Sequence, residues 1–340
     1  MFSSGLKQGL RRIQGSVHRL LTADRLLRRC PPHLLVLGFH RVTEGADPYE
    51  ETPPGLTCSA NSLRAILEWI KDRYELISED CVEEILSGRR DTSAALVTFD
   101  DAFEDFRVVS FPILRERDAP AVLFVPSSTE PLWQNRLWRA ARYFSGKSVE
   151  FLGRKWRLDR ERFLRKFLSE CRRYIAEPPV RRERNKRLDE VVGLLEGGER
   201  SREGAARLGG KSLRRLAAAG VTMGGHSRTH PVLKGLKEEE LREEVAGSRE
   251  ELEGMVGRRI EAFAYPFGDR NSYDEKVVEG VEKAGYRRAY TTVPEVLPIG
   301  EDVARARWEI PRLCVDWDEN LERWLARKWV PAMKRIEGDR

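Results

Sequence analysis

Two adjacent aspartates end an apolar stretch in the segment LVTFDDAFEDF, which runs from Leu96 to Phe106. Burying an unpaired carboxylate costs several kcal/mol, so Asp100 and Asp101 must reach water, meet a cation or share a proton. Most aspartates at strand ends are instead solvated loop residues or helix caps, and this reading stays open.

A second segment, MGGHSRTHP, places His226 and His230 four residues apart, directly after the apolar residues VTM. On a helical turn this spacing puts both imidazoles on one face, where they can hold one metal ion. Each histidine has an alternative role as a core or capping residue. Two histidine nitrogens and one aspartate oxygen would form a three-ligand zinc site with one coordination position open for water.

A third segment, AFAYPFGDR, ends another apolar stretch with a Pro-Phe-Gly turn. Gly268 allows a sharp backbone bend, and the exposed amides of such a turn can face a developing negative charge. An ordinary turn at the end of a strand would have the same sequence and no function.

The elements that must position these residues are strands and helices in alternation. Short β-branched segments alternate with helical patterns from residue 33 onward, and again after Gly210. This alternation predicts an α/β fold with parallel strands and helical crossovers. The FDD and GGHSRTH segments both end predicted strands, and loops at the carboxyl ends of such strands converge on one rim. We therefore expect the aspartates and the histidines to meet.

The alternation lapses between about residues 130 and 207, where arginine and tryptophan are frequent. We interpret this region as a mostly helical insertion. Its Trp133, Trp138 and Trp156, together with the arginines, would suit a cover that contacts an anionic or sugar ligand. The alternative is a helix pair packed on the side of the barrel with its basic face in solvent.

Composition and charge exclude several classes of protein. The 340 residues are 40% hydrophobic and 34% charged, which is typical of a folded protein with highly charged helices. The net charge is +6, but 55 acidic residues are interspersed with 61 basic ones, so the sequence does not indicate a dedicated nucleic-acid binder. The five scattered cysteines have no C-x-x-C spacing, which argues against structural disulfides and a thiolate zinc site.

The two ends of the chain predict additional helices. Residues 1–33 form a basic amphipathic pattern that either docks on the protein or lies on an anionic membrane surface. Lys and Arg interrupt each apolar stretch there, so we expect no secretory signal and a cytoplasmic location, with peripheral contact at the inner membrane face as an extension. Residues 318–340 predict a C-terminal helix and tail, and residues 34–317 the domain between.

The order and separation of TFDDA, HSRTH and FAYPFG resemble the successive motifs of the polysaccharide deacetylase family, the NodB-homology domain of carbohydrate esterase family 4. LGFHRV and AAAGVTMGGHSRTHPVL are similar to the family as well, and the resemblance covers roughly residues 34–127 and 208–315. It implies a distorted (β/α) barrel that removes N-acetyl or O-acetyl groups from sugars with a divalent metal, commonly zinc.

The resemblance also implies a role for each matching residue. Asp100 corresponds to the general base, and Asp101, His226 and His230 correspond to the ligands of the metal, for which Zn²⁺ is our prediction. Phe267 stands where the family often has a tyrosine whose backbone amide joins the oxyanion site.

Two departures from the family pattern concern the base. Ala102 replaces the usual glycine after the paired aspartates, which predicts a negative φ at this residue. Ala264 occupies the place of the arginine that orients the base in many members. Arg41, Arg307 and Arg312 are the candidates to replace that arginine.

A third departure concerns the acid, because no histidine follows His230 and EIPRLCVD takes the place of the late motif that normally supplies one. His40, at the end of the first predicted strand, is the remaining candidate, and a buried structural role suits it equally well. Arg312 and Tyr265 are predicted to contact the substrate.

Together these features predict a metal-dependent hydrolase of amide bonds that acts on an N-acetylated poly- or oligosaccharide and has no nucleic-acid partner. One alternative is a deformylase or amidase acting on a lipid-linked amino sugar. Others are a catalytically silent sugar-binding homologue, and nucleic-acid binding through the arginine-rich insertion, which rests on charge alone.

Overall fold

The computed structural model describes residues 23–45, 52–53, 55–144, 146–196, 206–300, 303–316 and 320–337. Of the predicted N-terminal helix, residues 1–22 lie outside the described residues, and residues 23–29 are helical (α1). Of the predicted C-terminal helix and tail at residues 318–340, residues 318–319 and 338–340 also lie outside. No helix within the described ranges is long and apolar enough to cross a membrane.

The strands form one large sheet and two small ribbons. They are β1 His33–Phe39, β2 Arg41–Thr43, β3 Thr57–Ser59, β4 Glu75–Leu76, β5 Ala94–Phe99, β6 Ala121–Val125, β7 Ser148–Phe151, β8 Arg154–Arg157, β9 Thr222–Gly225, β10 Ala262–Ala264, β11 Arg288–Tyr290, β12 Leu297–Pro298 and β13 Leu313–Cys314. The large sheet has the order β11-β10-β9-β6-β5-β1-β12, with β13 also paired to β1 and β4 to β5. All its pairs are parallel except β1 with β12, as the alternating pattern predicts.

Helices connect the strands and cover the sheet. They are α2 Ala60–Lys71, α3 Val82–Leu86, α4 Phe111–Glu116, α5 Trp133–Arg142, α6 Glu161–Ala176, α7 Arg181–Glu196, α8 Gly210–Ala218, α9 Glu238–Arg242, α10 Ser248–Val256, α11 Glu275–Lys283, α12 Val303–Ala306, α13 Leu321–Trp324 and α14 Val330–Glu337. Single π-helical turns at Phe106–Ser110, Glu243–Gly247 and Leu325–Trp329 adjoin α4, α10 and α14, and a 3₁₀ turn at Glu79–Cys81 precedes α3.

The segment around β13 joins the two sides of the curled sheet. Ile310 pairs with Tyr290 at the end of β11, and three residues later Leu313 pairs with Leu37 of β1. Residues 310–314 thus bridge two strands that stand far apart in the sheet order. This closure gives the distorted (β/α) barrel that the sequence resemblance implies.

Alternate residues of the buried strands face two different cores. In β1, Leu34 and Val36 belong to a cluster with Leu96, Phe124 and neighbouring side chains, whereas Leu35 and Leu37 pack with the covering helices. This division follows from the period-2 alternation of a strand. Both faces are apolar, which explains the nearly continuous hydrophobic runs of the strand sequences.

The insertion packs around a hydrophobic cluster of its own, made mainly by α5, α6 and α7. It also contains the antiparallel hairpin β7–β8, which the sequence analysis did not predict. The turn residues Leu152 and Gly153 both have positive φ, at 51° and 67°. Two-residue hairpin turns favour this conformation, so the Leu-Gly pair is the local signal that was missed.

Candidate active site

The residues singled out in the sequence lie at the carboxyl ends of neighbouring strands. Asp100 and Asp101 follow β5, His226 follows β9, and His40 follows β1. The parallel pairing of β1 with β5, and of β6 with both β5 and β9, brings these ends to one rim. The expected meeting of aspartates and histidines therefore occurs.

Asp101, His226 and His230 form a compact and fully buried group. The Nε2 atoms of the two histidines face each other at 3.2 Å, and Asp101 Oδ1 lies 3.8 Å from that of His226 and 3.5 Å from that of His230. Asp101 Oδ1 is buried and finds no hydrogen-bond partner among the described residues. An orphaned carboxylate oxygen is costly, so this atom requires a positive or polar partner.

The protonation states of this group suit a cation. Burial lowers the pKa of His226 to about 4 and that of His230 to about 3, so both rings are neutral near pH 7. His226 Nδ1 lies 2.7 Å from the Ala264 carbonyl, to which it donates, leaving the Nε2 lone pair free. Burial raises the pKa of Asp101, because the ionised carboxylate loses its hydration.

A divalent ion fits these donors. Ligand atoms bound about 2.1 Å from a tetrahedral zinc ion lie about 3.4 Å from one another. The three distances within the group, 3.2, 3.5 and 3.8 Å, are close to this value. One carboxylate and two neutral imidazoles are also a common donor set for such an ion. Asp101, His226 and His230 thus form a candidate metal site.

Asp100 lies beside the metal site and is held by Arg312. The two guanidinium nitrogens of Arg312 donate to the two carboxylate oxygens at 2.7 and 2.8 Å. Arg312 also donates to Thr98 Oγ1 and to the Thr291 carbonyl, so the guanidinium has a fixed position. A bidentate pair of this kind fixes both the charge and the orientation of the carboxylate.

The Asp100 carboxylate is ionised despite its burial. Burial is the largest single effect and would raise its pKa, but the charge and hydrogen bonds of Arg312, together with nearby His226 and His40, outweigh it and hold the pKa well below the usual value. His40 Nε2 lies 3.8 Å from Asp100 Oδ2, and the His40 side chain is partly exposed. His40 therefore lies on the rim with the other predicted residues and has access to solvent.

The structure distinguishes among the three arginines that were candidates to orient Asp100. Arg41 donates to Asp105, and Arg307 donates to Glu83, so only Arg312 of the three pairs with Asp100. Arg312 and Tyr265 are both fully buried, and the Tyr265 hydroxyl donates to the Trp308 carbonyl. Because neither side chain is accessible, this placement does not support the prediction that they contact substrate.

Left-handed backbone conformations cluster around the site. Of the seven described non-glycine residues with positive φ, five are Asp101, Ala102, Ser227, His230 and Phe267. Each costs roughly 1–2 kcal/mol in isolation, so surrounding contacts must enforce them. The clustering indicates that the fold orients these side chains and amides at a local cost in stability.

The predicted negative φ at Ala102 is wrong, because the observed value is 53°. The segment at residues 206–208 fastens this turn: Leu208 donates to the Ala102 carbonyl, Glu104 to the Ala206 carbonyl, and Arg207 Nε to the Asp101 carbonyl. These three hydrogen bonds offset the strain that a glycine would have avoided.

The segment from His226 to His230 is a loop and not the helical turn on which the spacing argument rested. The loop is shaped by Glu244, which is buried on a π-helical turn and accepts hydrogen bonds from the backbone of Arg228 and Thr229. Before the loop, a Cβ at Gly225 would collide with the Tyr286 hydroxyl, which explains the glycine at this position. The two histidines meet through tertiary support.

The Phe267 amide is available to a ligand. Phe267 has φ 63°, its carbonyl accepts from Thr292 Oγ1 at 2.6 Å, and its N–H meets no acceptor in the described part of the chain. The Phe267 ring lies 5.1 Å from the His230 ring, between centroids. The free amide therefore lies at the turn that borders the candidate metal site.

Helix α5 of the insertion supports His230. Trp133 Nε1 donates to the His230 carbonyl at 2.9 Å, and the Gln134 side-chain amide contacts His230 Nδ1. Gln134 Oε1 is buried without a partner in this orientation, and turning the amide by 180° lets it accept from Nδ1–H. Gln134 can thus keep Nε2 of His230 as the acceptor that faces Asp101.

Gln134→Leu is expected to weaken zinc binding about 10- to 100-fold, because the His230 ring loses the acceptor that fixes its tautomer. Competition with a chromophoric chelator measures this affinity. Gln134→Glu keeps an acceptor oxygen and is expected to retain the wild-type affinity. Arg142→Gln, an exposed position at the end of the same helix, serves as the control. Equal losses in the Leu and Glu variants would contradict the positioning role.

Sequence reasoning missed Gln134, Glu244 and Arg207 as parts of this site, and it named Trp133 only as a candidate ligand contact. They lie outside the motif segments, and their partners are distant in the sequence: Gln134 and His230 are 96 residues apart, and Arg207 and Asp101 are 106 apart. No local pattern could have indicated these contacts.

Comparison with known proteins agrees with this geometry. The family model described as polysaccharide deacetylase matches residues 197–289, which include His226, His230 and Phe267. The putative polysaccharide deacetylase YxkH of Bacillus subtilis is 27% identical over 84 residues, which cover 25% of this chain and 29% of that relative. The family resemblance is confirmed. The aligned segment is less than a third of YxkH, so this match does not assign the activity, substrate or partners of YxkH to this chain.

Solved deacetylase structures show the same fold. Streptococcus pyogenes deacetylase PplD, in complex with acetate, aligns with a TM-score of 0.56 and 18% identity, over 88% of this chain and 98% of its own. A de-N-acetylase from Aggregatibacter actinomycetemcomitans aligns with a TM-score of 0.54 and 15% identity, over 89% and 99%. The polysaccharide deacetylase fold therefore extends over most of this chain.

Proposed function

We propose that the protein is a metal-dependent hydrolase that removes N-acetyl, or O-acetyl, groups from a poly- or oligosaccharide. The observation that carries this proposal is the juxtaposition at one rim of two differently held carboxylates. Arg312 keeps Asp100 ionised, whereas Asp101 has an orphaned oxygen facing two neutral histidines. This is the division between a proton acceptor and a metal ligand that amide hydrolysis requires.

Asp101, His226 and His230 would hold the ion, for which the donor set favours Zn²⁺. When bound, a divalent metal polarises a carbonyl and lowers the pKa of a coordinated water toward neutrality. Asp100 would accept the proton of the attacking water. Its low pKa makes it a transient acceptor, which suits transfer of the proton onward to the leaving group.

His40 and the Phe267 amide would complete the reaction. His40 Nε2 lies 3.8 Å from Asp100 Oδ2, which is close enough for a small rearrangement or one water molecule to link them. His40 would protonate the departing amine or alcohol. The unpaired Phe267 N–H would donate to the oxyanion that forms when water attacks the carbonyl.

The alternative of a catalytically silent sugar-binding homologue loses one of its two supports. It rested on the missing late histidine and on the missing arginine beside the base. Arg312 supplies a guanidinium to Asp100 from a different part of the chain. Hydrolysis of another amide, such as a formamido group on a lipid-linked amino sugar, would use the same protein groups. An assay with each substrate distinguishes this activity from deacetylation.

The test is a screen for acyl release with zinc or cobalt added. N-acetylglucosamine oligomers, O-acetylated sugars and an N-formylated amino sugar are compared, and acetate or formate is measured. We expect metal-dependent acetate release from at least one acetylated sugar, abolished by a chelator and restored by zinc. His230→Ala should lose bound zinc, measured by mass spectrometry of the native protein. Absence of release from every substrate by zinc-loaded protein would overturn the proposal.

A further inference from the structure

A cavity lined by arginines lies between the insertion and the barrel rim. Its walls come from the loop after β6, from α5, α6 and α7, from the segment at residues 206–208, and from the loop that carries His230. Five arginines line it, and Glu130 is the carboxylate among its described lining residues. The arginines are Arg136, Arg181, Arg184, Arg207 and Arg228.

Four of these arginines have a carboxylate within 4 Å, and three of the pairs lie near solvent. These three pairs are Arg136 with Asp189 at 2.9 Å, Arg181 with Glu130 at 3.2 Å, and Arg228 with Glu251 at 2.8 Å. All three pairs are at least partly exposed, so solvent screens their charges. The other two lining arginines are Arg184 and Arg207.

Arg184 is buried without a full set of partners. The residue is 7% exposed, and its Nη2 makes no hydrogen bond to any described residue. The nearest carboxylate oxygen, Glu240 Oε2, lies 3.6 Å away, and Nη1 donates to the Pro178 carbonyl at 3.4 Å. A buried guanidinium with an unpaired N–H donor contributes less to stability than one whose donors are all paired. An anion that accepted a hydrogen bond from this donor would therefore stabilise the folded protein.

Arg207 adds a charge that has no carboxylate partner in the described part of the chain. Its nitrogens donate to the carbonyls of Pro126, Ser128, Glu130 and Asp101, and no carboxylate in the described part of the chain pairs with it. A guanidinium stays protonated in proteins at pH 7. The wall of the cavity nearest the metal site is therefore positive.

The cavity and the candidate active site share Trp133. This side chain lines the cavity, donates to the His230 carbonyl, and lies 6.1 Å from the Phe267 ring, between centroids. Arg207 lines the cavity as well and donates to the carbonyl of Asp101. A group bound in the cavity would thus be adjacent to the residues that hold the metal.

We propose that this cavity binds an oxyanion, a phosphate or a carboxylate, carried by the acetylated sugar. The claim that the anion belongs to the substrate rests on the proposed function. The claim that the cavity binds an anion does not. Arginine suits both oxyanions because its planar nitrogens match their oxygens. Arg184 Nη2 supplies a donor that has no hydrogen-bond partner among the described residues, and Arg207 supplies a charge that no described carboxylate pairs with.

The first experiment measures phosphate binding by isothermal titration calorimetry, with inorganic phosphate as the probe. The protein is titrated both as purified and after treatment with a chelator, because phosphate also binds metals. We expect binding in both preparations, since the cavity does not require the ion. Loss of binding on chelation would place the phosphate on the metal and overturn the proposal, as would absence of binding in both.

Variants test whether the cavity is the receptor. Arg184→Gln is expected to weaken phosphate binding about 10-fold, since a charge-assisted hydrogen bond is lost. Glu130→Gln removes the lining carboxylate and is expected to tighten binding. Arg173→Gln, at a guanidinium that is 78% exposed outside the cavity, is the matched control and should not change binding. Equal affinities in the Arg184 and Arg173 variants would overturn the proposal.

Folding is checked by circular dichroism, because Arg184 is buried. If Arg184→Gln does not fold, Arg136→Gln takes its place, since this side chain is 43% exposed and its loss does not endanger the core. Weaker phosphate binding is expected there too. If Arg184→Gln does not fold and a folded Arg136→Gln variant binds phosphate as tightly as the wild type, the proposal is overturned.

The second experiment compares three substrates: a neutral N-acetylglucosamine oligomer, the same sugar with a phosphate monoester, and an oligomer with a uronic acid. We expect kcat/KM to be higher for an anionic substrate, and the order of the two anions identifies the oxyanion. Equal kcat/KM for all three would overturn the proposal while supporting deacetylation. Phosphate binding without hydrolysis of any substrate would support the anion site and overturn the proposed function.

Discussion

Asp100→Asn is expected to lower kcat for acetate release about 100- to 10 000-fold, the range that loss of a general base produces. The amide cannot accept the proton of the attacking water. It keeps the size of the carboxylate, and it leaves Asp101, His226 and His230 untouched. Zinc content should therefore stay near that of the wild type, whereas His230→Ala should lose it. Acetate release and metal analysis are measured on the same preparations.

The control for this substitution is Asp72→Asn, at an exposed aspartate next to the end of α2. It makes the same chemical change without touching the rim and should keep full activity. Wild-type turnover in Asp100→Asn would refute the assignment of the base. Loss of zinc together with loss of turnover would instead make Asp100 a support of the metal site.

Arg312→Met is expected to destabilise the protein by about 3–5 kcal/mol, because it leaves the Asp100 carboxylate buried and unpaired. The wild-type pair is fully buried and bidentate, so no solvent can replace the guanidinium. Urea unfolding measures the change. Arg307→Met is the matched control, because its pair with Glu83 is partly exposed and a smaller loss is expected.

The pH dependence of this loss has a definite sign. In the wild type the pKa of Asp100 is lower when folded than when unfolded. Its contribution to stability is therefore fully present above its unfolded value of 3.8 and is lost as the pH falls through the folded value. Without Arg312, burial raises the folded pKa above the unfolded one. The destabilisation of Arg312→Met should then be largest at pH 7 and shrink as the pH falls toward 4.

The same substitution should alter the pH profile of catalysis. In the wild type Asp100 remains ionised throughout the mildly acidic range, so it does not set the acidic limb of kcat/KM. In Arg312→Met the protonated form of Asp100 becomes populated, and the acidic limb should move to higher pH. An unchanged limb in a folded variant would show that Arg312 does not tune the base.

The local sequence was sufficient for the parallel α/β fold and for the two aspartates and two histidines of the site, and the family resemblance chose Asp101 as the metal ligand. Strand-ending motifs report local chemistry, and parallel topology forces strand ends onto one rim. Two local inferences nevertheless failed, at Ala102 and at the loop from His226 to His230. In both places tertiary hydrogen bonds, from residues 206–208 and from Glu244, impose backbone conformations that local propensity disfavours.

The sequence by itself determined which side chains could hold a cation and which strand ends carry them, because these properties depend on residue type and short spacings. Only the tertiary structure decided how those side chains are held. Arg312 reaches Asp100 across 212 residues through the segment that closes the barrel, and Gln134 reaches His230 across 96 residues from the insertion. Such contacts follow from how the closed sheet and the insertion pack, and no local pattern encodes that packing.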